Sequence, residues 1–292
     1  MAKGNLGNLL QHFVGLRSMQ VLAAAWNRPQ EPILFVDCYS MGPWEQINKN
    51  GRSEGYDTLV LRFPKKAMQC DFVAKTFMTA WGQHYASSKI PDNPRKRNYP
   101  NSAVLLLAAF PNQKWLMRLH DIKVYKRTKL RAWARKQVLV QCQIAGKWSK
   151  SPLIDHAPVP CDKPVFVMLD PYQIVGDKNP DAKKNGFLTD SMISRLFGTE
   201  GLDLVNRPGL KGAAPAVITL FSYSNTQQQV IDASKIVTRY FKKRRWSVER
   251  VKVKKQRTGT NMTCHVGWVA HSGLPKLILG QQLQAVWNEW SS

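Results

Sequence analysis

The sequence predicts an α/β fold built on a mostly parallel sheet, and three observations carry that expectation. Five short apolar runs lie between residues 32 and 222, each of strand length and apolar at successive positions. Segments with apolar residues at helical spacing lie between several of them. Near the C-terminus, two runs read as an antiparallel hairpin. At 292 residues and 43% hydrophobic content, the chain can bury one large core. The expected organisation is a single domain over residues 1–292, with an inserted helical and loop subdomain at 44–98.

In chain order, Leu6, Leu9, Leu10, Phe13, Val14, Leu16, Val21 and Leu22 recur at helical spacing and predict an opening helix over 5–26, ended near Arg28-Pro29. The first run, "PILFVD" (32–37), is too short for a helix and reads as a strand buried on both faces. The polar and aromatic stretch 44–98 then interrupts the pattern, with one helix expected over 72–85 and a loop "IPDNPRKRNYP". Strands follow at "KWLMRLH" (114–120), "QVLVQCQ" (137–143), "PVFVMLD" (164–170) and "AVITLFS" (216–222). Helices are expected over 122–136 and 226–244. Between the last two strands, "VGDKNPDAKKNG" (175–186) has the Gly, Asn, Asp and Lys content of a mobile surface loop. The hairpin pairs 246–253 with 263–270, and a last helix covers 274–290. Ligands of such a sheet bind beyond the carboxyl ends of its strands.

Composition narrows the partners. Lys and Arg number 43 against 19 acids, for a net charge of +24 and a pI near 10.1. This excess points to a polyanion, with nucleic acid the default and RNA favoured over DNA. From Arg239 to Arg257 the chain carries ten basic residues, Lys242, Lys243, Arg244, Arg245, Lys252, Lys254, Lys255 and Arg257 among them. Tyr240, Phe241 and Trp246 are interleaved and are expected to stack on unpaired bases while the charges meet phosphates. A second run, 118–136, adds eight more, including Lys126 and Arg127, and Arg95 to Arg97 add a flexible arm. No apolar run reaches the roughly 18–20 residues of a membrane span. The N-terminus does not read as a signal peptide, so a cytoplasmic protein is expected. Five cysteines without a C-x-x-C pair argue for reduced thiols and against a metal site.

The order of short motifs adds a resemblance. "GNLGNLLQH" (4–12), "FVDCYSMGP" (35–43), "NYPNSAVLLLAAF" (98–110), "WLMRLHD" (115–121) and "VMLDPYQI" (167–174) are similar, station by station, to the bacterial 23S rRNA adenine-N6 methyltransferases. The single proline before the aromatic in "LDPY" also resembles the three-Cys-motif partner proteins. Either resemblance implies a Rossmann-like class I methyltransferase fold with S-adenosylmethionine as cofactor. It implies that Asp170 and Pro171 receive a target amine while Tyr172 stacks on the base. It places Asp37 and Gly42 at the cofactor, and Asp121 as a displaced ribose acid. His12 would sit in an N-terminal segment that helps close the active site.

The cofactor motifs depart from the family pattern. Met41 and Pro43 stand in the expected glycine loop, Arg118 at the ribose acid and Ala145 at the adenine-facing acid. Two readings follow: a nucleic-acid-binding or assembly subunit with a decayed cofactor pocket, compatible with a larger nucleoprotein complex, or an active adenine-N6 methyltransferase. Arg118 and Ala145 favour the first; Asp37 with Asp170-Pro171-Tyr172 favours the second.

Overall fold

The structure, a computed structural model, describes residues 6–47, 56–121, 123–145, 158–171, 173–180, 182, 187–224, 226–254, 261–269 and 281–291. The expected start of the first helix at 5, the hairpin end at 270, residues 274–280 of the last helix, Tyr172, Lys255 and Arg257 lie outside the described residues.

Helix α1 (Leu6–Trp26) is buried almost all round, as its lack of a charged face requires. It lies so close to the sheet that a Cβ on Gly7 would meet Tyr223 and come within 2.8 Å of Met262 Sδ. Strand β1 (Ile33–Asp37) is buried at every position. The insertion is closed at its base by β2 (Trp44–Gln46) pairing antiparallel with β3 (Asn98–Pro100). Between them lie α2 (Tyr56–Leu61), α3 (Phe63–Met68) and α4 (Phe72–His84), the last capped by the Asp71 carboxylate at Ala74 N–H, 2.7 Å. The expected flexible arm is not one. Pro94–Lys96 is a 3₁₀ turn, Arg95 pairs with Asp57 at 2.6 Å, and buried Arg97 donates to Pro91 O and lies over the Trp81 ring.

After α5 (Ser102–Ala109) come β4 (Trp115–His120), α6 (Val124–Ala134) and β5 (Val140–Ala145). The strand expected over 137–143 is thus shifted. β5 is the last strand on its side of the sheet among the described residues, and Val138 before it is 97% exposed, so local apolarity did not mark the pairing. Strand β6 (Val165–Leu169) leads into a short parallel pair, β7 (Ile174–Val175) and β8 (Leu188–Thr189), and then α7 (Asp190–Phe197). The chain ends with β9 (Ala216–Ser224), α8 (Gln227–Lys242, opened by a Thr226–Gln229 capping box), β10 (Ser247–Lys254), β11 (Asn261–Trp268) and α9 (Gln281–Ser291).

Seven strands form one sheet in the order β10-β11-β9-β6-β1-β4-β5. β5, β4, β1, β6 and β9 are parallel, while β11 runs antiparallel to both β9 and β10. One core layer joins α1, α4, α5 and α9 to one face; the other joins α7 and α8 to the opposite face. From β1 the chain order runs to β4 and β5 on one side and then to β6 and β9 on the other, so a switch point falls between β1 and β6. This is a Rossmann-like α/β arrangement, mostly parallel, with its antiparallel pairing at the C-terminal side.

Candidate functional site

The register brings three acids to the switch point. Asp37 ends β1 and pairs across with Leu119 and Met168. Asp121 and Asp170 each stand two positions beyond those partners, so all three occupy the same edge of the sheet. Asp37 is buried; its Oδ1 accepts the Tyr39 N–H at 3.1 Å, and Ser102 also bonds it. Burial pushes its carboxyl up to about 6, with the neighbouring Asp121 adding to the rise. Asp170 is pushed well up by burial and then by Asp37. Its Oδ1 is buried and has no hydrogen-bond partner among the described residues, which for a carboxyl oxygen is a standing cost that a donor would relieve. Pro171 follows it, buried.

A polar wall stands beside Asp37. His12 reaches across from α1, its Nδ1 2.7 Å from Tyr99 Oη and its Nε2 3.1 Å from Ser102 Oγ, while its ring stacks on Tyr99. Burial pushes the imidazole down to about 3, so it is neutral. Asn101 holds the loop after β1 against α5: its Nδ2 donates to Met41 O, its N–H donates to Pro43 O, and its Oδ1 caps the helix at Val104 N–H. Tyr99, Asn101 and Ser102 belong to "NYPNS", a motif the sequence marked without assigning its side chains a task.

The groups expected at the cofactor are engaged by the protein itself. Gly42 N–H donates to Glu45 Oε1 at 3.1 Å. The same oxygen is 3.2 Å from Lys126 Nζ, which lies 3.8 Å from Asp121 Oδ2. Asp121 Oδ1 accepts the Lys123 N–H at 2.7 Å, and Asp121 O accepts from Arg127 at 2.9 Å. Half-buried Arg118 lies on β4, its guanidinium pushed down by burial, and Ala145 ends β5. The Gly42 N–H is thus spent on Glu45, while Asp121 is held by the Lys123 N–H and stands beside the Lys126 ammonium. Glu45 had no signal in the sequence; its partner Lys126 is far along the chain.

The structure corrects part of the expected nucleic-acid surface. Trp246 is 2% exposed, and Tyr240 and Phe241 are also buried. All three pack in the core between α8 and the sheet, because α8 turns Val230, Ala233, Ile236, Val237, Tyr240 and Phe241 inward together. Lys126 is likewise buried in its ion pairs and does not face solvent. Lys242, Lys243, Arg245 and Lys252 are exposed. Arg239 pairs with Asp190 at 2.6 Å, and Arg244 lies 3.9 Å over the Tyr240 ring. Lys254 is placed in β10.

No protein-family model matches the chain, and no curated protein is detectably similar to it in sequence. Among solved structures, protein LPL1258 from Legionella pneumophila, of family model DUF519, shares the fold at a TM-score of 0.63. The two are 11% identical over 98% of this chain and 92% of that one. Lower likenesses include M. jannaschii TYW2 in complex with AdoMet, with a TM-score of 0.36, 11% identity, and 93% of this chain and 78% of that one covered. Another is the precorrin-6y C5,15-methyltransferase of Geobacter metallireducens, with a TM-score of 0.31, 10% identity, and 86% and 87% covered.

Proposed function

We propose that this protein binds nucleic acid on a methyltransferase-like fold and acts as a binding or assembly subunit rather than as a catalyst. The chain Gly42–Glu45–Lys126–Asp121 carries this reading, because it spends inside the protein the backbone donor expected at the cofactor and sets a lysine ammonium beside the expected ribose acid. The polyanion partner follows from 43 basic residues against 19 acids. Phosphate contacts through Lys242, Lys243, Arg245 and Lys252 give affinity without sequence preference.

Two measurements test it together. Binding of a mixed-sequence single-stranded RNA is expected to fall with salt at a log-log slope near −4 for about six phosphate contacts. Calorimetric titration with S-adenosylmethionine is expected to show no binding in the micromolar range. A flat salt dependence overturns the nucleic-acid reading; micromolar cofactor binding overturns the decayed pocket.

The second reading, an active adenine-N6 methyltransferase using S-adenosylmethionine, is favoured by Asp170 Oδ1, which has no partner among the described residues and stands beside Asp37, free to accept an amine N–H. Transfer of a labelled methyl group to RNA, lost in a folded Asp170→Ala variant, would establish it.

A further inference from the structure

We propose that the first turn of α6 is a stacking platform for an unpaired nucleic-acid strand, with Tyr125 as the base-stacking side chain. The inference rests on the nucleic-acid reading above and names the surface that carries it. With Tyr240, Phe241 and Trp246 withdrawn into the core, the basic run from Arg239 to Lys252 presents charge without an aromatic face. The run at 118–136 differs. Tyr125 is 53% exposed, and Val124 beside it is 65% exposed. The Nζ atoms of Lys123 and Lys129 lie 6.0 and 5.9 Å from the centre of the Tyr125 ring.

Along the chain, the charge through α6 is of one sign. Residues 122–154 contain no Asp or Glu. Lys123, Lys129, Arg131, Arg135 and Lys136 are exposed along α6 and just past it. Tyr125 and Lys129 are four residues apart and share a helix face. A base laid on the ring would have its phosphates among these ammonium groups, the combination of π-face and cations that suits single strands and is indifferent to sequence. A duplex keeps its bases stacked internally and offers the ring nothing. Position adds to the argument: α6 starts directly beyond β4, and the Lys123 N–H is bonded to Asp121, so the platform stands at the lip of the acidic edge. A strand held there passes beside Asp121 and towards Asp37.

The test is fluorescence anisotropy with a labelled single-stranded oligoribonucleotide, its deoxy counterpart and a blunt duplex of the same sequence, using the full chain. Tyr125→Ala is expected to weaken both single strands about five- to a hundredfold, the range of losing one stacked base, and to leave the duplex unchanged. Tyr125→Phe keeps the π-face and is expected to bind as wild type does. Thermal melting confirms that these surface variants are folded. An unchanged single-strand affinity in Tyr125→Ala, an equal loss on the duplex, or a loss in Tyr125→Phe as large as in Tyr125→Ala overturns the inference while leaving nucleic-acid binding in place. Wild-type protein that binds none of the three removes the broader reading and this one with it.

Discussion

Acidification should destabilise this protein through His12, and the size of the effect follows from its burial. The imidazole has an ordinary value of 6.5 in the unfolded chain and about 3 in the fold. Its folded-state value is depressed, so its contribution is fully present above 6.5 and is lost as the pH falls towards 3. At about pH 5 the unfolded chain has taken up a proton that the folded state refuses, which amounts to about 2 kcal/mol relative to pH 8. His265, buried and also held at about 3, adds a similar amount in the same direction. Asp37 opposes them. Its value is raised to about 6, so its stabilisation is greatest at low pH and is lost as pH rises through 6; it returns roughly 1.4 kcal/mol by pH 5. Comparing wild type with His12→Gln isolates one share of this sum. Each protein is unfolded in urea at about pH 8 and about pH 5, followed by tryptophan fluorescence, and compared only with itself. Wild type is expected to lose about 2 kcal/mol more than the variant across that interval. Equal losses would mean that His12 titrates normally in the fold, and the closed polar wall of His12, Tyr99 and Ser102 would have to be abandoned.

Two further predictions concern the frame that holds the site. Arg207 is fully buried and donates to Lys163 O, Ala214 O and Pro160 O at 2.8–3.0 Å. A single ammonium cannot reach three carbonyls that a guanidinium fork spans, so Arg207→Lys is expected to cost about 2–4 kcal/mol in urea unfolding. A Cβ on Gly201 would overlap the carbonyl oxygens of Arg195 and Leu196. Gly201→Ala is expected to cost about 1–3 kcal/mol, whereas Gly82→Ala, in α4 with nothing near the added carbon, stabilises by about 0.5–1 kcal/mol; thermal midpoints moving in the same direction for both would refute the packing argument.

Particular elements show how far the sequence could be read. β1 and β6 were legible because strands buried on both faces must be apolar at every position, and this needs no knowledge of neighbours. α5 was not assigned, since "SAVLLLAA" is short and wholly apolar and carries no period to separate helix from strand; the Asn101 cap and packing against α1 decide it. α7 was missed because eight residues between turns are too few to stand out, although its faces differ once it is placed.

The candidate site divides in the same way. Asp37 and Asp170 could be placed at one edge from sequence alone, because each follows a parallel strand and such strands share a direction. Trp246 could not be read correctly. Arg245 adopts a left-handed φ of 62°, and this turn carries Trp246 back against Phe241, with ring centres 5.5 Å apart. The pairing of Glu45 with Lys126, beside Asp121, joins residues 81 positions apart and depends on how the insertion seats against α6. By itself, then, the sequence determined the parallel sheet, its acidic edge and the excess of positive charge, since strand burial, strand direction and net charge are properties of composition and order. Only the tertiary structure decided which charges are spent inside and which aromatic remains in solvent, because a cation's availability depends on the acids that folding brings beside it.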